Sequence, residues 1–90
     1  MRFEWDSKKA ASNEQKHGVT FQEAATIFGD PLSLTFEDPD HSIGEQRYIT
    51  FGLSLYERLI VVLHTDRRES IRIFSARTMT RREKKIYEEG

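Results

Sequence analysis

The stretch from Arg58 to Arg77 limits what this chain can fold into more than any other. It reads R-L-I-V-V-L-H-T, then D-R-R-E, then S-I-R-I-F-S-A-R. The first run is apolar and rich in β-branched residues, the pattern of a strand buried on at least one face. The second run alternates, which places Ile71, Ile73 and Ser75 on one side and Arg72, Phe74 and Ala76 on the other. Asp66-Arg67-Arg68-Glu69 lies between them without a glycine. A four-residue loop around a type I turn is therefore expected in place of a tight two-residue turn.

The rest of the chain supplies partners for this hairpin. Arg2 to Trp5 alternates and reads as a short strand. Asp6 and Ser7 are N-cap residue types ahead of a polar helix from Lys8 to Lys16, which Gly18 ends; His17 and Lys16 place positive charge in its last turn. Thr20-Phe21-Gln22-Glu23 is a capping-box pattern, and Phe21, Ala24, Ala25, Ile27 and Phe28 form an apolar stripe at helical spacing. Strands are expected at Leu32–Phe36 and Arg47–Leu53, with the acidic loop Glu37–Gly44 between them. Thr80 caps a last helix, Arg81–Glu89, with Glu83 at the box position. A run of strands after two helices, joined by short loops, points to one α+β domain with a mostly antiparallel sheet and both N-terminal helices on one face.

Strand parity gives the hairpin two sides. Leu59, Val61 and Leu63 share one; Arg58, Ile60, Val62 and His64 share the other. With the helices over the first set, the second becomes an open face. Depending on register, Arg72 and Phe74 join it, and so do Arg47, Ile49 and Phe51. Guanidinium groups from separate strands are then expected to converge on a single patch with an aromatic and aliphatic floor. Such a patch suits single-stranded RNA, which needs phosphate contacts and a surface for base stacking.

Charge distribution agrees. Net charge is only −1, but residues 1–45 hold 4 Lys/Arg against 9 Asp/Glu, whereas residues 46–90 hold 10 against 6, and eight of those ten are arginine. Arginine grips phosphate with a planar fork, and a positive half suits a protein that meets a polyanion on one side. For each arginine the alternative role is a salt bridge to Glu45, Glu57 or Glu69.

Other chemistries lack their residues. There is no cysteine, hence no disulfide and no thiolate metal site. His17, His41 and His64 share no zinc-binding spacing. Glu37, Asp38 and Asp40 read as turn formers and solubilising charges before they read as magnesium ligands. Ser75 has no G-x-S-x-G context, and no glycine-rich phosphate loop is present. No apolar run approaches the ~18 residues of a membrane span, and no signal-peptide pattern opens the chain, so a cytoplasmic protein is expected.

Taken together, Phe3-Glu4-Trp5-Asp6, Asn13, Lys16-His17-Gly18-Val19, F-x-E-A at Phe21 to Ala24, Asp30-Pro31, H-S-x-x-E-x-R at His41 to Arg47, and I-R-I-x-S-A-R at Ile71 to Arg77, followed by T-R-R-E and Tyr87, resemble the BrnT toxins over essentially the whole chain. Ser7, where proline is frequent, Phe74, where isoleucine is usual, and Glu57 depart from the pattern. Glu57 stands where glycine is expected and sets a carboxylate beside Arg58. The resemblance implies a RelE/ParE-like fold, with a sheet of four to five strands, and a metal-independent RNA endonuclease that uses no cofactor. It also implies neutralisation by a BrnA-type antitoxin with a DNA-binding domain, and a homodimer within the toxin–antitoxin complex.

In such an enzyme a base takes the 2′-hydroxyl proton, the oxygen attacks phosphorus, and an acid protonates the 5′-oxygen. Arg72 and Arg77 are the expected transition-state clamps, and His64 or His41 the base or acid. Arg47, Arg58, Phe74 and Tyr87 are expected to hold substrate, although packing the last helix also suits Tyr87. Two other functions fit the same fold: a toxin that binds a protein target such as gyrase, and an antitoxin-binding module with little catalysis.

Overall fold

The computed structural model describes all of Met1–Gly90. Strand β1 (Arg2–Glu4) leads into helix α1 (Ser7–His17) and helix α2 (Phe21–Thr26), which tightens into a 3₁₀ turn at Ile27–Gly29. Four strands follow: β2 (Leu34–Glu37), β3 (Tyr48–Leu53), β4 (Leu59–Arg67) and β5 (Ser70–Thr78). Helix α3 (Arg81–Glu89) closes the chain. The sheet order is β1-β5-β4-β3-β2, and only the β1–β5 pair is parallel.

The caps act where the sequence places them. The Asp6 carboxylate accepts from the N–H groups of Lys8 and Lys9, and Thr20 accepts from Glu23. Gly18 takes the left-handed conformation, φ 68°, that ends α1. Thr80 and Glu83 complete a reciprocal capping box on α3.

The helices α1 and α2 cover one sheet face. Phe21, Ala24 and Ile27 pack there on Ile60, Val62, Ile71, Ile73 and Ala76. Trp5 lies edge-on to Phe21 at 5.9 Å. Gly52 is required on this face, because a Cβ there would come within 2.8 Å of the Ile27 Cβ. Polar α1 is tied to the sheet by one side chain. The Asn13 amide donates to the Ala76 carbonyl (2.8 Å) and accepts from the Ala76 N–H (3.1 Å), completing a β5 edge that β1 leaves unpaired.

Two expectations are corrected. The hairpin turn has two residues, Arg68 and Glu69, because Arg67 pairs with Ser70. Arg68 meets the geometry with a positive φ of 23° and no glycine. The helices α1 and α2 also lie over Ile60 and Val62, so Leu59, Val61 and Leu63 take the other face, where Val61 is buried with Phe51, Met79 and Tyr87 of α3 and the rest stays open. The helices were expected over Leu59, Val61 and Leu63, but the apolar stripe of α2 meets Ile60 and Val62.

Candidate nucleic-acid interface

A β-bulge decides which arginines share the open face. His64 pairs with Ile73 and Leu63 pairs with Ser75, so Phe74 is an extra residue in β5. Simple alternation from Ile71 and Ile73 would send Ser75 and Arg77 into the helix-covered core. The bulge reverses parity after Phe74. Ala76 enters the core instead, and Ser75 and Arg77 turn outward beside Val61 and Leu63. Arg72, ahead of the bulge, alternates to that same outward face. Arg72 and Arg77 are five residues apart on one strand, roughly 15 Å by strand rise. They do not meet at one phosphate, as expected from sequence; they lie along a track that one polynucleotide strand can follow.

Toward the C-terminal end of β5 the face forms a groove of ≈ 650 Å³. Its floor is apolar, with Phe36, Ile49, Phe51, Val61 and Leu63. Its walls are the acidic loop, the end of α1 with His17, and the first turns of α3. The loop is knotted onto itself. The Asp38 N–H donates to the Arg47 carbonyl (2.9 Å), the Ser42 hydroxyl donates to the Asp38 carbonyl (2.5 Å), and the Arg47 N–H donates to Ser42 Oγ (3.0 Å). This knot accounts for the histidine and serine of H-S-x-x-E-x-R and uses only the main chain of Arg47. It also fixes His41 in the groove wall, with its Nδ1 2.7 Å from the buried Asp38 carboxylate. A carboxylate at Nδ1 selects the Nδ1–H tautomer and leaves Nε2 free to accept a proton.

Across the groove, Arg77 is gripped in a fork by Glu83 of α3, at 2.7 and 2.9 Å. Glu83 also accepts from the Thr80 N–H at 2.8 Å. The Arg77 hydrogen bonds outweigh burial and hold the Glu83 carboxyl down to about 2, so it is ionised at neutral pH.

At the other end, the Arg47 guanidinium lies over the Phe74 ring, 3.9 Å from its centroid, and the Lys9 ammonium is 5.6 Å from it. The Arg47 Nε is buried with no hydrogen-bond partner. Arg47, Arg72, Phe74 and Lys9 thus make a cationic, aromatic end to the track. Lys9 was not singled out in the sequence, since α1 there looks merely solvated. Asp38 and Glu83 were read only as a loop charge and a cap. No group of three or more metal-ligating side chains is present.

Three expected site residues lie elsewhere. His64 is buried under the helices with Phe28, its ring centroid 4.9 Å away. It is bonded to Asp66 at Nδ1 (3.0 Å) and to Thr50 at Nε2 (2.7 Å). Burial pushes its pKa down, against the pull of Asp66. Arg58 bonds to Glu23 through both Nε and Nη2, and donates from Nη2 to the Gly18 carbonyl at 2.9 Å. Its partner is none of the three glutamates near it in sequence or on the hairpin. Tyr87 packs beside Met79 and Phe51 under α3, and its hydroxyl donates to Asp30 at 2.5 Å. Burial and that carboxylate push the phenol up to about 12.

The comparisons with known proteins agree with this architecture. The crystal structure of the Brucella abortus ribonuclease toxin BrnT is similar, with a TM-score of 0.69 at 20% identity. The match covers 90% of this chain and 99% of that one. A search of curated protein sequences found no match. The family model described as the ribonuclease toxin BrnT of type II toxin–antitoxin systems matches residues 5–83, so this chain belongs to the BrnT family of ribonuclease toxins.

Proposed function

We propose that the chain is a metal-independent RNA endonuclease that works in the cytoplasm, arrests translation, and is neutralised by a BrnA-type antitoxin, within whose complex it pairs with a second copy. The observation that carries this reading is the bulge at Phe74, which turns Arg77 onto the face that already holds Arg72 and opens toward His41. RNA lies along β5 in this reading. Arg72 and Arg47 hold phosphate at one end, and the Phe74 ring adds an aromatic surface. The reacting phosphodiester sits in the groove. There His41, backed by Asp38, takes the 2′-hydroxyl proton as the oxygen attacks phosphorus. Arg77 meets the charge that builds on the phosphoryl oxygens. Arg58, His64 and Tyr87 act on the fold in this reading, because each is bonded to a carboxylate within it: Arg58 to Glu23, His64 to Asp66 and Tyr87 to Asp30.

The test is incubation of the purified chain with single-stranded RNA in the presence of a chelator. The expected products carry 2′,3′-cyclic phosphate and 5′-hydroxyl ends, and Arg72→Ala weakens binding of that RNA by about tenfold with an unchanged melting temperature. RNA left intact, or cleavage that needs a divalent ion, sinks the proposal. DNA-damage signalling in cells whose RNA stays whole would favour a protein target instead.

A further inference from the structure

We infer that His17 is the general acid of the same reaction, protonating the departing 5′-oxygen across the groove from His41. The inference rests on the nuclease reading and adds a residue to it. The sequence presents His17 only as a helix-end cation, but the fold places it at the site.

Asn13 fastens α1 to Ala76 of β5. His17 follows Asn13 by four residues, so it stands on the same helix face one turn, roughly 6 Å, further along. Just beyond it, the Gly18 carbonyl is held by Arg58 at 2.9 Å. The end of α1 is therefore pinned on both sides of His17. The pinning places His17 in the lining of the groove together with His41, Ser75 and Arg77. The residue is exposed, so a substrate can reach it.

Few groups in the groove have a proton to give at neutral pH. Arg77 is bonded to Glu83 and holds its charge. Glu83 is ionised, and Asp38 faces the Nδ1 of His41. Histidine is the side chain that ordinarily changes charge between pH 5 and 8. The step balances with two of them. As the bond from O2′ to phosphorus forms, His41 Nε2 takes the 2′-hydroxyl proton. As the bond from phosphorus to O5′ breaks, His17 gives its ring proton to O5′. A 2′,3′-cyclic phosphate and a 5′-hydroxyl result, and the two rings exchange protonation states.

The test compares two versions of an RNA that the wild-type chain cleaves: the natural one, and one with sulfur replacing the bridging 5′-oxygen at the mapped site. A thiol ionises near ~8.5 and leaves without a proton donor. His17→Gln is expected to slow the natural substrate by about 10²-fold and to stay within about threefold of wild type on the sulfur substrate. His41→Gln is expected to slow both. Equal loss on both substrates by His17→Gln, or no loss on either, overturns the assignment and leaves the nuclease reading standing. A wild-type chain that cleaves no RNA overturns both.

Discussion

Each face of the sheet carries a histidine and an arginine paired to a carboxylate, and the two faces put them to different use. On the helix-covered face, Arg58 closes on Glu23, which is 3% exposed, and His64 is itself nearly sealed off. On the open face, Arg77 pairs with Glu83 and His41 with Asp38, but both members of the pair border a cavity. Residue type does not separate the two sets. What separates them is the space they border: Arg77 and His41 line the groove, whereas the Arg58 guanidinium, though partly exposed, is held by Glu23 and the Gly18 carbonyl. A buried pair stabilises by cancelling a charge already out of water, whereas a pair at a groove orients a group for something that arrives later.

The largest expected effect comes from breaking the two arginine pairs in parallel. Arg77→Ala should reduce RNA cleavage about 10²–10³-fold, since a fixed donor to the transition state is lost. Arg58→Ala should cost roughly 2–3 kcal/mol of stability, below the full range for a buried pair because its guanidinium is partly solvated. Cleavage per folded molecule should fall far less than in Arg77→Ala, since Arg58 acts only by holding the Gly18 carbonyl behind His17. Urea melts and single-turnover rates on both variants check this. If the two losses change places, the assignment of faces is reversed.

That assignment is the part of the structure the sequence conveys least. Elements, order and caps are legible because each depends on neighbours: Asp6 with Lys8 and Lys9, Thr20 with Glu23, Thr80 with Glu83. The converging pieces of the family pattern carried the fold further than periodicity alone. The bulge at Phe74 is illegible, because one extra residue in β5 leaves no mark in I-R-I-F-S-A-R yet reverses every side chain after it. The partner of Arg58 is illegible too, since Glu23 lies 35 residues away and reads only as a capping glutamate. Of the groove's residues, the sequence points to His41 and Arg77 but not to the carboxylates that hold them, Asp38 and Glu83. That His64 is covered while His17 and His41 line the groove depended on which sheet face the helices take.

A smaller effect separates the two buried and open histidines by pH. Burial lowers the pKa of His64 in the folded chain, so below about 6.5 the unfolded chain binds a proton that the folded chain resists. Stability should therefore fall as pH drops from 7 toward 5, by at most ~1.4 kcal/mol per unit from this one group. His64→Gln should flatten that slope, although it lowers stability at pH 7. Glu83 acts in a separate window. Its carboxyl is lowered to about 2, so its contribution is present above about 4.5 and lost only as pH falls below that. Denaturation midpoints at pH 5, 6 and 7 check the first window. A slope that persists in His64→Gln assigns it to another group.

The smallest effect tests a departure from the family pattern at a residue with a positive φ. Glu57 has a φ of 61°, the left-handed region that costs an L-residue about 1–2 kcal/mol. Its N–H is held by the Ser54 carbonyl at 2.9 Å, and the Arg58 carbonyl accepts from the Ser54 N–H at 2.9 Å, so the turn cannot relax away from that conformation. Glycine adopts it freely but enlarges the unfolded ensemble by roughly 0.5–1 kcal/mol. Glu57→Gly should thus stabilise the chain by about 0.5–1 kcal/mol, read as a higher urea midpoint. The Arg58 guanidinium bonds to Glu23 and not to the carboxylate beside it, so RNA cleavage should not change. A gain in cleavage without a gain in stability would mean that the Glu57 charge acts on the substrate, and would extend the RNA path past the open face to the turn that holds Arg58.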